Sequence, residues 1–138
     1  MVLTGGCMCG SVRYSAKVDT GVKAICHCAP CQKRTASAFS MNLIIPREAF
    51  EFTKGVTRTY PHLGDSGKLY HHHFCGSCGA QVIGIPDAAP GMLSIKIGSL
   101  DPECSNVGSM ENELYVVNRR TYLTPCEGLT QYDGMLPL

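Results

Sequence analysis

The chain has 138 residues, 44% of them hydrophobic, and a formal net charge of +1. That length and apolar share suit one domain with a real core, so no second domain is expected. No run of Lys or Arg exceeds the pair Arg119-Arg120, so the electrostatic footprint of a nucleic-acid or anionic-membrane binder is missing, and the expected partners are small molecules.

The N-terminus, Met1 to Gly6, has neither the basic nor the apolar region of a signal peptide. No apolar stretch approaches the roughly 20 residues of a membrane span. A cytoplasmic location is the expectation. Nine cysteines in a secreted chain would suggest disulfides, but the count is odd and seven of them fall in C-x-C or C-x-x-C clusters. In a reducing compartment that pattern points to metal.

Taken in order, Gly5-Gly6-Cys7-Met8-Cys9-Gly10 reads as a glycine-flanked knuckle, tight enough for two sulfurs to reach one ion. In Ser11 to Ala16, the positions Val12, Tyr14 and Ala16 share one face of a strand. Val22 to Ile25 repeats the alternation and runs into Cys26-His27-Cys28-Ala29-Pro30-Cys31. Gln32 to Ala36 is expected to make a short helical turn, with Pro30 near its start where a missing N–H costs nothing. Phe39 to Ile45 reads as a strand ended by Pro46. Arg47 to Phe50 is one helical turn, followed by extended pieces around Phe52 and from Val56 to Tyr60. Pro61 to Gly67 has loop composition.

Lys68 to Phe74 and Gln81 to Ile85 form a hairpin whose tip, Cys75-Gly76-Ser77-Cys78, holds metal. Met92 to Ile97 alternates with Leu93, Ile95 and Ile97 inward, and Leu114 to Val117 is a further strand. From Thr124 to Leu138 the tail is polar and punctuated by Gly and Pro, and should wrap the surface. With no internal repeat and no sustained helical periodicity, the expected fold is mainly β.

Cys7, Cys9, Cys75 and Cys78 are enough to close one tetrahedral site, the arrangement of structural zinc. One ion held by all four would tie the first strand to the middle hairpin. Zinc is preferred over iron as the commoner structural ion of such sites. Cys26, Cys28 and Cys31 are one ligand short. If Cys104, Cys126 or a histidine fills the fourth corner, this is a second structural staple; if water or substrate fills it, the ion is a Lewis acid poised to bind a thiol. The open site is preferred, because neither remaining cysteine has a partner cluster.

These residues resemble the glutathione-dependent formaldehyde-activating enzyme family, also called the centromere protein V/Gfa domain. The marks are G-x-C-x-C-G-x-V-x-Y from Gly5 to Tyr14, C-H-C-x-x-C from Cys26 to Cys31, and F-C-x-x-C-G from Phe74 to Gly79. The match spans residues 5 to about 123. It implies a mainly β, zinc-clasped single domain of short antiparallel sheets, the β-tent, with two Zn2+ per chain. Cys7, Cys9, Cys75 and Cys78 would hold the structural zinc, and Cys26, Cys28 and Cys31 the catalytic one. The chain departs from the family pattern with Ala36-Ser37 where members often carry Gly-Ser, and with Tyr122 where they often carry Trp.

The implied activity is that of a carbon–sulfur lyase acting on a glutathione-type thiol adduct, in either direction. A proton must move in such chemistry, and histidine is the natural carrier near neutral pH. His27 stands between two ligands and is the first candidate; His71, His72 and His73 follow, with a polar strand face or support of the metal as their plainer roles. Lys33, Arg34, Lys54 and Arg58 are candidates for the carboxylates of glutathione, and Tyr14, Tyr60, Tyr70 and Phe39 for pocket walls. A rival reading is a non-catalytic, zinc-stabilised interaction module with two structural ions. A further one makes the three-thiol cluster a redox switch.

Overall fold

The computed structural model describes residues 1–19 and 21–137; Thr20 and Leu138, the last residue of the expected tail, lie outside it. The chain is mainly β, with eleven strands and one α-helix among the described residues. It divides into two compact units, 1–21 with 43–107 and 22–42 with 108–138.

In the first unit, β1 (Val2–Gly6) pairs antiparallel with β2 (Arg13–Lys17), which pairs with β5 (Phe50–Lys54). The alternation expected for β2 is present: Val12, Tyr14 and Ala16 are each 1% exposed. β1 was not expected, because its glycines carry no periodic signal. Gly5 lies opposite Tyr14 in the ladder, and a side chain there would run into the Tyr14 ring and the Ser99 carbonyl. A bare position on one strand thus receives the aromatic ring of the next. The Tyr14 hydroxyl bonds Ser99 Oγ at 2.7 Å, and burial pushes its pKa up to about 12.

An antiparallel meander completes this unit: β6 (Arg58–Leu63), β7 (Leu69–Phe74), β8 (Gln81–Pro86) and β9 (Met92–Lys96). β6 continues through Pro61, His62 and Leu63, where loop composition was expected. Ladder pairing with β7 overrides it: Pro61 lies opposite His71 and Leu63 opposite Leu69. Leu93, Ile95 and Ile97 point inward as expected, joined in the core by Ile83, Ile85 and Ile45.

Arg13 grips both oxygens of Asp101, the Nη1–Oδ1 bond being 2.7 Å, and Thr4 Oγ1 adds a 2.7 Å bond. The guanidinium and the Thr4 hydroxyl hold the Asp101 pKa at about 2, below its ordinary 3.8. A depressed folded value means that the contacts stabilise the fold above pH 4 and that this contribution fades as pH falls through the acid range. Asp101→Asn is therefore expected to lower unfolding free energy by about 1 kcal/mol at neutral pH, allowing for partial exposure. Urea denaturation should show the gap to the parent protein closing near pH 2.

In the second unit, β3 (Val22–Cys26) pairs with β10 (Asn112–Leu114), and β10 pairs with β11 (Thr130–Gln131). Both ladders are parallel, where only antiparallel sheets were expected. Leu114 lies opposite Cys26, and Ala24, Cys26 and Leu114 form a small core against Tyr115, Tyr132 and Leu136. The strand expected at Leu114 to Val117 is displaced toward the N-terminus, because Tyr115 is left-handed (φ 53°) and turns the chain into a 3-10 segment, Val116–Asn118. Much of the tail is exposed, as expected, but β11 ties it to β10. β4 (Ser40–Pro46) begins in this unit and ends in the other.

Helix α1 (Ala29–Thr35) starts earlier than the expected turn because Cys28 caps it, its sulfur accepting from the Cys31 N–H at 3.3 Å. Pro30 sits in the first turn. Ala36 ends the helix at φ 51°, a conformation that glycine adopts without strain.

Candidate metal centres

The hairpin between β7 and β8 closes on Cys75 to Ala80, with Cys75 N–H bonded to the Ala80 carbonyl and Gly79 N–H to the Cys75 carbonyl. The turn after β1 does the same for Cys7, whose N–H reaches the Val12 carbonyl. Gly10 and Gly79, at φ 80° and 75°, supply the left-handed residue each turn needs. The two turns bring Cys7, Cys9, Cys75 and Cys78 together, all four sulfurs within 4.8 Å of one another.

A tetrahedral zinc with sulfurs at ~2.3 Å requires sulfur–sulfur edges of about 3.8 Å. Cys7–Cys9 is 3.6 Å and Cys9–Cys75 is 3.8 Å. The donor set therefore fits such an ion as it stands. Ser11 Oγ lies 3.1 Å from Cys9 Sγ and 3.3 Å from Cys75 Sγ. That hydroxyl, with the Cys78 and Ser77 N–H groups, holds the Cys75 thiol down at about 5. Burial pushes Cys7 up, but the Val12 N–H and Ser11 hydroxyl outweigh it and leave that thiol at about 7.

In the second unit, β3 delivers Cys26, and the cap and first turn of α1 deliver Cys28 and Cys31. Their sulfurs also lie within 4.8 Å of one another, and among the described residues no fourth His, Cys, Asp or Glu donor joins them. Cys104 and Cys126, considered for the fourth corner, stand elsewhere: Cys104 Sγ is 3.8 Å from Thr4 Oγ1, and Cys126 is exposed. Cys26 is buried, whereas Cys28 and Cys31 are partly open to solvent. Ser40 donates to Cys31 Sγ at 3.0 Å. The Cys28 and Cys31 sulfurs, with burial, drive the Cys26 thiol far up; Cys28 is drawn down by Cys26 but raised by Cys31 and by burial, to about 11. Three facing sulfurs resist joint ionisation, and a cation is what relieves that repulsion.

His27 is brought to this centre by sequence but turned away from solvent, at 1% exposure. Its Nε2 meets Glu113 Oε1 at 2.8 Å, and Phe39 packs edge-on at 5.6 Å. The histidines of β7 join neither cysteine group. His71 bonds Asp87 at 2.9 Å, His73 bonds Thr57 at 2.8 Å and His72 bonds His62 at 2.7 Å. Of the aromatic residues considered as pocket walls, Tyr14 is core, Tyr60 is exposed and Tyr70 lies over Gly84. Lys54 and Arg58 stand on β5 and β6, with Arg58 covering Gly76 of the four-thiol turn.

Beside α1 runs a shallow cleft lined by Ala29, Gln32, Lys33, Ala38, Arg120 and Tyr122 among others. Lys33 was among the four basic residues considered for the carboxylates of a ligand. Arg120, Ser11, Ser40 and Glu113 were not expected, since each reaches its site through folding rather than through a cysteine-like spacing.

A β scaffold with one four-thiol clasp and a separate three-thiol cluster defines a class of protein whose cysteines could hold two metal ions. Among the described residues, no helix is long and apolar enough to cross a membrane. The family model of the glutathione-dependent formaldehyde-activating enzyme matches residues 2–118, and the chain belongs to that family. A crystal structure of a Rhodobacter sphaeroides protein shares the fold, with a TM-score of 0.60 and 19% identity over 78% of this chain and 96% of that one.

Proposed function

We propose that the protein is a zinc-dependent carbon–sulfur lyase that makes or breaks a glutathione-type thioadduct such as S-hydroxymethylglutathione, with the reacting sulfur directed to the Cys26, Cys28 and Cys31 cluster. The observation that carries this reading is a cluster of three sulfurs, two of them on partly exposed residues, with no fourth protein donor among the described residues. The Cys7, Cys9, Cys75 and Cys78 clasp takes the structural ion. A cation held by three thiolates supplies mild Lewis acidity, which keeps an incoming sulfur deprotonated near neutral pH.

The residues do the rest. Cys26, Cys28 and Cys31 set where the substrate sulfur stands. In the forming direction that sulfur attacks a carbonyl carbon: the C–S bond forms, the carbonyl π pair moves to oxygen, and the oxygen takes up one proton. Cleavage reverses each change. Ser40, through its bond to Cys31 Sγ, fixes the direction of one donor. His27, buried and bound to Glu113, serves position rather than proton transfer.

The cleft carries Lys33 and Arg120 and, among the described residues, no carboxylate side chain, which suits the two carboxylates of glutathione. Lys33→Ala with Arg120→Ala is expected to raise KM for a glutathione adduct about tenfold while kcat falls less, the mark of lost substrate binding. Steady-state kinetics with an uncharged thiol adduct as control, unaffected by the pair, would test it.

The reading as a whole is tested by metal content and cobalt substitution. Two ions per chain, with one cobalt spectrum shifted by added glutathione, supports the lyase. Two ions that are both indifferent to thiols would instead make this an interaction module with two structural metals.

A further inference from the structure

Glu113 is 1% exposed and sits in the middle of β10, opposite Ile25 of β3. Burying a carboxylate is costly unless its oxygens are met, and here both are. Oε1 takes His27 Nε2 at 2.8 Å. Oε2 takes Gln131 Nε2 at 2.6 Å and the Cys126 backbone N–H at 2.8 Å, with Arg119 Nη2 3.4 Å away. The carboxylate stays ionised: burial opposes this, but those donors hold its pKa near 2.

His27 is the residue between Cys26 and Cys28, and it is gripped on three sides. Its N–H reaches the Leu114 carbonyl at 3.0 Å, its carbonyl accepts from Gln32 Nε2 at 2.8 Å, and its ring is tied to Glu113. A shift of the backbone at His27 would swing the two sulfurs on either side of it, and the bond from its buried ring to Glu113 is one of the contacts that resists such a shift. The same carboxylate also fastens the tail at Cys126 and Gln131.

We propose that Glu113 is the positioning residue of the three-thiol centre: through His27 it fixes the direction of Cys26 and Cys28, and so sets how tightly that centre holds a metal ion. This rests on the reading that the cluster is a metal site.

The atoms supply a specific test. Oε2 faces only donors, so in Glu113→Gln the amide oxygen must take that side and the NH2 group must face His27. The His27 Nε2 then has to accept, which moves the ring proton to Nδ1, a buried atom with no hydrogen-bond partner among the described residues, and the donor left unmet there favours a displacement of His27. Supporting partners of this kind typically change metal affinity ~10–100-fold. With the full-length chain and cobalt as probe, E113Q is expected to lose 10–100-fold in affinity at the three-thiol centre, read by chelator competition, while the four-thiol centre is unchanged. Nitrogen-15 shifts of His27 should show the exchanged tautomer. In the double variant His27→Gln with Glu113→Gln, the amide introduced at position 27 can turn its oxygen to the NH2 group at position 113, and wild-type affinity should be recovered.

Equal weakening of both centres, or no change at the three-thiol centre, overturns the proposal. Should E113Q not fold, His27→Gln keeps a donor for Oε1 and should retain affinity, whereas His27→Leu should lose it; equal affinity in these two also overturns it. A wild-type chain that takes up only one cobalt removes the metal reading itself and the proposal with it, a result distinct from the others.

Discussion

Cys78→Ser is expected to remove one bound metal ion and unfold the first unit. The four sulfurs come from two turns, and Cys9 and Cys75 stand 66 positions apart in the chain. An ion held by all four closes that long loop, and binding of a structural zinc is worth on the order of 10 kcal/mol, about as much as a typical domain's whole stability. Three thiolates with a serine hydroxyl retain only part of it. Elemental analysis and a thermal melt monitored by near-ultraviolet circular dichroism would check this. A variant that keeps both ions and melts with the parent protein would show that the clasp is not what holds these strands.

Cys28→Ser should do the opposite: turnover of a glutathione thioadduct falls at least ~10³-fold, while the melt moves little. The magnitude follows from removing one of three donors from an ion on which the reacting sulfur depends. Folding is spared for a separate reason. Cys28 also caps helix α1, and serine is among the best capping residues, so the substitution removes the metal ligand and preserves the cap. Loss of the thiol-induced shift in the cobalt spectrum should accompany loss of activity; activity within tenfold of the parent would place the chemistry elsewhere.

Much of this architecture was legible from local chemistry. The hairpin tip, the alternation of β2 and β9 and the three short cysteine motifs each follow from residues within a few positions of one another. The family resemblance read from the three cysteine motifs agrees with the family model's match. What escaped was long-range. β1 carries glycines because Tyr14 lies across one of them, a reason invisible along its own strand. β10 was placed too far toward the C-terminus because Tyr115 and Val116 look strand-like, and the left-handed turn at Tyr115 depends on bonds to Gly134 and Tyr132. The parallel pairing of β3 with β10 joins segments from opposite ends of the chain. Glu113 was unreadable for the same reason: a lone acidic residue announces nothing until His27, 86 positions earlier, is placed against it.

The discontinuous second unit has a consequence for biosynthesis. Its first segment, 22–42, leaves the ribosome with Cys26, Cys28 and Cys31, but the strand that flanks β3 arrives only after residues 43–107 have been made. Throughout that interval β3 lacks its β10 partner, the closure entropy of the intervening polypeptide has yet to be met, and the three neighbouring thiols are open to oxidants. Oxidation of the nascent chain is thus expected to be greatest while residues 43–107 are being made, and added metal or a reducing milieu should raise the yield of folded chain.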